Sequence, residues 1–130
     1  MLVLTLVALA ACGAGAGKTP ASVSEVTVTD RDDRGDVTLA AGQTLVVRLG
    51  VTLGTGFSWQ VVTNNARILE PAEPPRIEPP ERPAPGAVEH QVFRFTARAK
   101  GSTVLELHYL RPWEKGAKPA RTYRVTAMVR

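Results

Sequence analysis

From Ser22 onwards, apolar and polar residues alternate in short runs, and residues typical of turns separate these runs. An alternation with a period of two predicts β-strands, because successive side chains of a strand point to opposite faces of a sheet. None of the runs has the spacing of an amphipathic helix. Strands are predicted over Ser24–Thr29, Val37–Leu39, Thr44–Val51, Phe57–Val62, Ile68–Leu69, Gln91–Ala97, Thr103–Tyr109 and Tyr123–Val129.

Each predicted strand has one apolar face, which indicates two sheets that pack face to face. We therefore expect an all-β fold, an Ig-like antiparallel β-sandwich of about seven or eight strands formed by residues 22–130. The inward-facing residues are expected to be Leu45, Val47, Leu49, Val51, Phe57, Trp59, Val61, Phe93, Phe95, Leu105, Leu107, Tyr109, Tyr123, Val125, Ala127 and Val129.

Prolines are concentrated in one segment, which separates two of the predicted strands. Seven of the ten prolines fall between Pro71 and Gly86. Proline lacks the amide donor that a central strand needs. An extended loop or an edge segment is therefore expected there.

The N-terminal residues resemble a targeting signal. Met1–Ala11 is apolar and uncharged, and it is shorter than the ~20 residues that span a bilayer. The sequence Leu9-Ala10-Ala11-Cys12 resembles the bacterial lipobox, which implies that Cys12 becomes the first residue of the mature protein and carries a lipid. The glycine-rich residues 12–21 would then form a flexible tether. We expect the protein in the cell envelope, anchored through Cys12 to a membrane on its periplasmic or extracellular face.

Two further points concern this segment. Signals of this kind start with a basic residue, whereas Leu2 follows Met1 directly, so we expect the true start codon to lie upstream. The alternative interpretation is that Cys12 is an incidental thiol in an apolar strand or helix.

Composition and charge exclude several classes of function. The 16 basic and 12 acidic residues give a net charge of +4, but they are interspersed, so no basic stripe for nucleic acid is predicted. Cys12 is the only cysteine, which excludes an intrachain disulfide and a cysteine-based zinc site. His90 and His108 lie in strands without the motif of a hydrolase triad. We expect no active site, no metal and no cofactor.

Two loops carry residue types that are suited to binding. The first, Thr52-Leu53-Gly54-Thr55-Gly56-Phe57, has two glycines and no charge, and a backbone without side chains can approach another surface closely. The second, Arg111-Pro112-Trp113, combines a rigid proline with two residue types that are enriched at interface hot spots. The alternative interpretation is an ordinary tight turn and a tryptophan folded back on the sandwich. The residues alone favour neither interpretation.

The two loops together resemble the chagasin-type inhibitors of papain-like cysteine proteases. Their first signature is Asn-Pro-Thr-Thr-Gly-(Tyr/Phe)-x-Trp, of which this sequence has Thr55, Gly56, Phe57 and Trp59, with Thr52-Leu53-Gly54 in place of the first three residues. The signature Arg-Pro-(Trp/Phe) matches Arg111-Pro112-Trp113 in full. The middle signature, a Gly-x-Gly-Gly loop, is represented by Gly86 alone.

The resemblance implies a reversible, non-covalent protease inhibitor that is monomeric and is not an enzyme. Three loops at one end of the sandwich would enter the cleft of the protease, with the first loop over the catalytic cysteine. Trp59 would belong to the core, Trp113 would contact the enzyme, and Arg111 would lie at the rim. The alternative function is an adhesion or assembly module of the cell envelope that has no protease target. The protease-binding residues implied are Thr52, Leu53, Gly54, Thr55, Gly56, Phe57, Gly86, Arg111, Pro112 and Trp113.

Overall fold

A computed structural model describes residues 24–130, which form eight strands. The strands are β1 (Glu25–Thr29), β2 (Asp36–Leu39), β3 (Thr44–Val51), β4 (Ser58–Thr63), β5 (Leu69–Glu78), β6 (Glu89–Ala97), β7 (Gly101–Leu110) and β8 (Arg121–Val129). Two short 3₁₀ turns, Asp30–Asp32 and Leu53–Thr55, are the only helical elements of these residues. None of the described residues belongs to a helix that could span a membrane. The predicted signal, Cys12 and the tether lie outside the described residues.

The strands form two four-stranded sheets, which confirms the predicted β-sandwich. One sheet has the order β1-β3-β6-β5 and the other the order β2-β8-β7-β4. Most neighbours are antiparallel, as expected, but β1 pairs with β3 and β2 pairs with β8 in parallel. These two short strands belong to different sheets, and the turn Asp30–Asp32 lies between them in the chain. The chain therefore crosses from one sheet to the other near its start.

The core lies between the two sheets and is mostly aliphatic, as the alternation predicts. Thirteen of the sixteen residues expected to face inward are buried, and Trp59, at 1% exposure, is among the largest of them. Phe57 and Tyr109 are half-buried. Tyr123 is also buried, and its hydroxyl donates to the carbonyl of Thr29 at 2.9 Å. Burial, assisted by the nearby carboxylates of Asp32, Asp33 and Asp30, raises the pKa of Tyr123 above its usual range.

Val61 is an exception among the residues that were expected to face inward. It is 39% exposed, because β4 is the last strand of its sheet and its pairing with β7 shifts between Val61 and Thr63. The side chains of an edge strand have a neighbouring strand on one side only, so the other side is open to solvent. Val61 pairs with the buried Leu107 and lines a cavity with Phe93 and Phe95, so it lies on the inner face as predicted, but the open edge leaves it exposed.

The proline-rich segment divides into an edge strand and a loop. Residues 69–78 form β5, which is the last strand of its sheet and pairs with β6. The pairing is interrupted by register shifts between Pro71 and Glu73 and between Glu73 and Arg76. An edge strand tolerates proline because one of its two sides needs no amide donors. Of the two expectations for this segment, the edge position holds for 71–78 and the loop for 79–86.

Candidate functional site

The strand register brings three connections to one end of the sandwich, which we call the loop end. The last residue of β3, Val51, pairs with the first residue of β6, Glu89. Near the same point β5 ends, with Glu78 paired to His90. In the other sheet, the start of β4 pairs with the last residue of β7. Residues 52–57 leave β3 and enter β4 here, so the connections 52–57, 79–88 and 111–120 share this end.

The first connection, residues 52–57, is called the glycine loop. It contains the 3₁₀ turn Leu53–Thr55, followed by Gly56 in the left-handed region with φ 81°. The Thr55 hydroxyl donates to the carbonyl of Thr52 at 2.6 Å, and the amide of Gly56 donates to the carbonyl of Leu53 at 2.9 Å. Residues 52–55 are exposed, including the apolar side chain of Leu53. The free protein thus uses the Thr55 hydroxyl within the loop itself.

The second connection, residues 111–120, is called the tryptophan loop, and Arg111 joins it to the glycine loop. The Arg111 Nε donates to the carbonyl of Thr55 at 3.0 Å. Its guanidinium lies 4.4 Å from the ring centroid of Phe57, a cation–π contact, and forms an ion pair with Glu114 at 3.2 Å. Arg111 therefore holds two loops together, a role that its expected position at the rim did not include.

Trp113 makes the second link between the two loops. Its indole ring packs over Gly56 so closely that a Cβ atom at residue 56 would overlap the ring, with Cζ2 at 3.0 Å from that position. The side chain nevertheless stays 66% exposed. Trp113 therefore lies outside the core, as predicted, and one part of its ring remains open to solvent. Glycine is required at position 56 for two reasons: the positive φ disfavours a side chain, and the Trp113 ring leaves no room for a Cβ atom.

Aromatic rings continue from the glycine loop into the core. The ring of Tyr109 lies 5.3 Å from that of Phe57 and 5.0 Å from that of Trp59. The Tyr109 hydroxyl accepts a hydrogen bond from the amide of Thr52 at 3.2 Å. Trp59 donates through Nε1 to the carbonyl of Gly50 at 3.0 Å. The prediction that Trp59 belongs to the core is confirmed.

The sequence interpretation did not find the contributions of Tyr109 and Glu114 to this site. A signal for Tyr109 was present in part, because Tyr109 and Arg111 are alternate residues at the end of β7, where strand geometry directs alternate side chains to one side. The chain then turns at Pro112 and Trp113, and the amide of Glu114 donates to the carbonyl of Arg111 at 3.0 Å. Glu114 carried no comparable signal beyond its place three residues after an arginine.

Gly86 is placed at the loop end by strand register alone. It lies within the turn in which the amide of Ala87 donates to the carbonyl of Ala84 at 3.0 Å, and its φ is 76°. Gly86 is exposed. The direct contacts described above join the glycine loop to the tryptophan loop, so these two form the structured part of the site.

Other features of the described residues lie away from the loop end. A cavity of about 330 Å³ opens between the edge strands β4 and β5, and none of its lining residues belongs to the three loops. The histidine–carboxylate pair of His108 and Glu106, at 3.5 Å, projects from one strand, β7. Within residues 24–130 no group of three or more His, Cys, Asp or Glu side chains is arranged to hold a metal ion.

Comparisons with known proteins point to one family. The model described as Chagasin family peptidase inhibitor I42 matches residues 38–127. Amoebiasin-2 from Entamoeba histolytica is 21% identical over 103 residues, which span 79% of this chain and 84% of that protein. The crystal structure of the cysteine protease inhibitor EhICP2 from Entamoeba histolytica has a TM-score of 0.73 and 19% identity, and covers 82% of this chain and 96% of its own. The solution structure of Amebosin has a TM-score of 0.59 and 24% identity, and the match covers 80% of this chain and 96% of Amebosin.

Proposed function

The chain belongs to the chagasin family of peptidase inhibitors, and on this basis we propose that it inhibits papain-like cysteine proteases by reversible, non-covalent insertion of its loops into the active-site cleft. The family consists of inhibitors, which confirms the expectation that the chain is not an enzyme. The observation that carries the proposal is the direct joining of the glycine loop and the tryptophan loop into one projecting surface. We call this surface the ridge; it comprises residues 52–57 and 111–113.

The chemistry of the ridge suits a narrow cleft. Residues 52–57 carry no charge, so they can be desolvated without the cost of burying an ion. The charge of Arg111 is partly balanced by Glu114. Leu53 and Trp113 are 39% and 66% exposed, and they supply apolar area that a partner can cover. The ridge needs no nucleophile or electrophile for this kind of binding.

The conformation of the glycine loop also explains why it would survive contact with a protease. A peptide strand pairs with a partner in an extended conformation. The 3₁₀ turn Leu53–Thr55 and the left-handed Gly56 are not extended. We propose that the loop blocks the cleft without presenting a peptide bond in the geometry of a substrate.

An inhibition assay tests this function. The full chain is titrated against papain with a fluorogenic peptide as the competing substrate, and the inhibitor is checked for cleavage by mass spectrometry. We expect reversible, competitive inhibition and an intact chain. Trp113→Ala is expected to raise the inhibition constant by about 30-fold, as loss of a hot-spot contact does. The matched control is Met128→Ala, which also removes an exposed apolar side chain, 47% exposed, on β8 near the opposite end.

Two results would contradict the proposal in different ways. If a panel of papain-like proteases is not inhibited at micromolar concentration, the alternative function, an adhesion or assembly module, takes its place. If inhibition occurs but Trp113→Ala and Met128→Ala behave alike, the function stands and the ridge is not its binding surface.

We further propose that the mature protein is a monomer anchored to a membrane through a lipid on Cys12. The support is the sequence Leu9-Ala10-Ala11-Cys12 and the glycines that follow it. Two acyl chains are needed for stable anchoring. Expressed in a bacterium, the wild-type chain is expected in the membrane fraction and Cys12→Ser in the soluble fraction. Identical partitioning of the two would exclude the anchor.

A further inference from the structure

Three residues at and just after the end of β7 each hold a different part of the glycine loop. The Tyr109 hydroxyl accepts the amide of Thr52, the Arg111 Nε donates to the carbonyl of Thr55, and the Trp113 ring covers Gly56. The loop itself contains Gly54 and Gly56 and lacks the Asn-Pro lead-in of the family signature. A loop without a rigid lead-in loses more conformational entropy when it binds, unless other residues fix its shape beforehand.

Tyr109 is well placed to fix the start of the loop. Its ring lies between those of Phe57 and Trp59, at centroid distances of 5.3 Å and 5.0 Å. Trp59 is buried and is itself held by a hydrogen bond to the carbonyl of Gly50. The hydroxyl therefore reaches Thr52 from a ring that has little freedom to move. Thr52 precedes the 3₁₀ turn directly, so its position sets where the turn begins.

We propose that Tyr109 is a positioning residue of the inhibitor, whose hydroxyl holds the glycine loop in its binding shape before the protease arrives. This proposal rests on the proposed function. It does not require Tyr109 to touch the protease, because the hydroxyl is directed to the loop's own backbone. The hydroxyl takes the place of the missing Asn-Pro lead-in as the constraint on the entry to the loop.

The test compares two tyrosines that differ in what their hydroxyls hold. Tyr109→Phe keeps the ring and its stacking and removes only the hydrogen bond to Thr52. Tyr123→Phe is the matched control, because its hydroxyl also bonds to a backbone group, the carbonyl of Thr29 at 2.9 Å, but outside the loop. Three quantities are measured on the full chain: the inhibition constant against papain, the amide hydrogen exchange rates of residues 52–57, and the midpoint of thermal unfolding.

Tyr109→Phe is expected to raise the inhibition constant by about five- to tenfold, the effect of one lost hydrogen bond. The same variant should speed the exchange of the Thr52 amide. Tyr123→Phe is expected to lower the unfolding midpoint and to leave both the inhibition constant and the exchange of the loop unchanged. The difference between the variants would separate positioning of the loop from general stability.

Two results overturn the proposal. One is unchanged inhibition and unchanged exchange in Tyr109→Phe. The other is a loss of inhibition in both variants that scales with the decrease in their unfolding midpoints. The hydroxyl of Tyr109 would then act on inhibition only through the stability of the domain. If the wild-type chain inhibits no protease, the proposed function fails. The exchange of the Thr52 amide then still decides whether Tyr109 fixes the loop.

Discussion

Gly56 is the residue on which the shape of the ridge depends most. Its φ of 81° lies in the left-handed region, and the ring of Trp113 occupies the space that a Cβ atom would take. Gly54 is two residues earlier in the same loop, yet a Cβ there would meet no atom within 4 Å. The two glycines therefore differ in what they contribute, although the sequence presents them alike.

Gly56→Ala is expected to weaken inhibition much more than Gly54→Ala. The methyl group at residue 56 strains the backbone, at about 1–2 kcal/mol, and also forces Trp113 away from its place in the ridge. At residue 54 the methyl group meets open space, so a change within about 0.5 kcal/mol is expected. Inhibition constants and unfolding midpoints of both variants provide the measurement. Equal effects at the two positions would show that the packing of Trp113 on Gly56 does not shape the binding surface.

The roles of single residues could be predicted from the sequence only in part. Residue type and the match to family signatures were enough to select the glycine loop and Arg111-Pro112-Trp113, and to separate a core Trp59 from an exposed Trp113. The bond from Arg111 to the Thr55 carbonyl and the bond from Thr52 to Tyr109 join residues more than fifty positions apart. Such contacts depend on which strands become neighbours, and a single sequence does not state that order.

Among the strands, position in the sheet decides how far the alternating pattern can be trusted. The pattern predicted the buried face of β3 correctly, and β3 has a neighbour on each side. At Val61 the pattern gave the inner face but not the exposure, because β4 is an edge strand whose register shifts there. In β5 the prolines left open whether residues 71–78 are a loop or an edge strand. They form an edge strand, because the missing amide donors of proline matter less at an edge. The edge strand β2 follows the pattern, with Val37 and Leu39 buried, so an edge position permits a departure from the pattern without requiring one.

Val61 and Leu107 provide a test of this difference, because they are paired across β4 and β7. Leu107 is fully buried, whereas Val61 is 39% exposed. Leu107→Ala is expected to lower the free energy of unfolding by about 2–5 kcal/mol, as other large-to-small changes in a core do. Val61→Ala is expected to cost under about 1 kcal/mol. Denaturant unfolding measures the free energy of unfolding of both variants. If Val61→Ala lowers it as much as Leu107→Ala does, the edge at β4 is covered in solution.

In the molecule as a whole, the parallel pairing of β1 with β3 places the start of the described domain and the ridge at opposite ends. Glu25, at the start of β1, pairs with Thr44, the first residue of β3, while the glycine loop follows the last residue of β3. The N-terminus of the described domain is therefore at the end opposite to the ridge. An eight-residue strand spans about 25 Å. Under the proposed anchor at Cys12, a tether that joins the domain here would attach it at the end far from the ridge.

This geometry predicts that the two ends of the domain differ in their tolerance of added mass. A small folded protein fused before residue 22 is expected to leave the inhibition constant against papain within about twofold of the wild type, because it lies at the far end. The same protein inserted between Lys115 and Gly116 is expected to abolish inhibition, since that exposed turn belongs to the tryptophan loop.

Both fusions should keep the unfolding midpoint of the sandwich, because neither interrupts a strand. Equal midpoints would ensure that a lost inhibition reports a blocked ridge and not an unfolded domain. If the N-terminal fusion abolishes inhibition while the insertion at the tryptophan loop does not, the binding surface lies at the other end of the sandwich. The tether would then place that binding surface beside the membrane, and the proposed arrangement of anchor and inhibitor would be wrong.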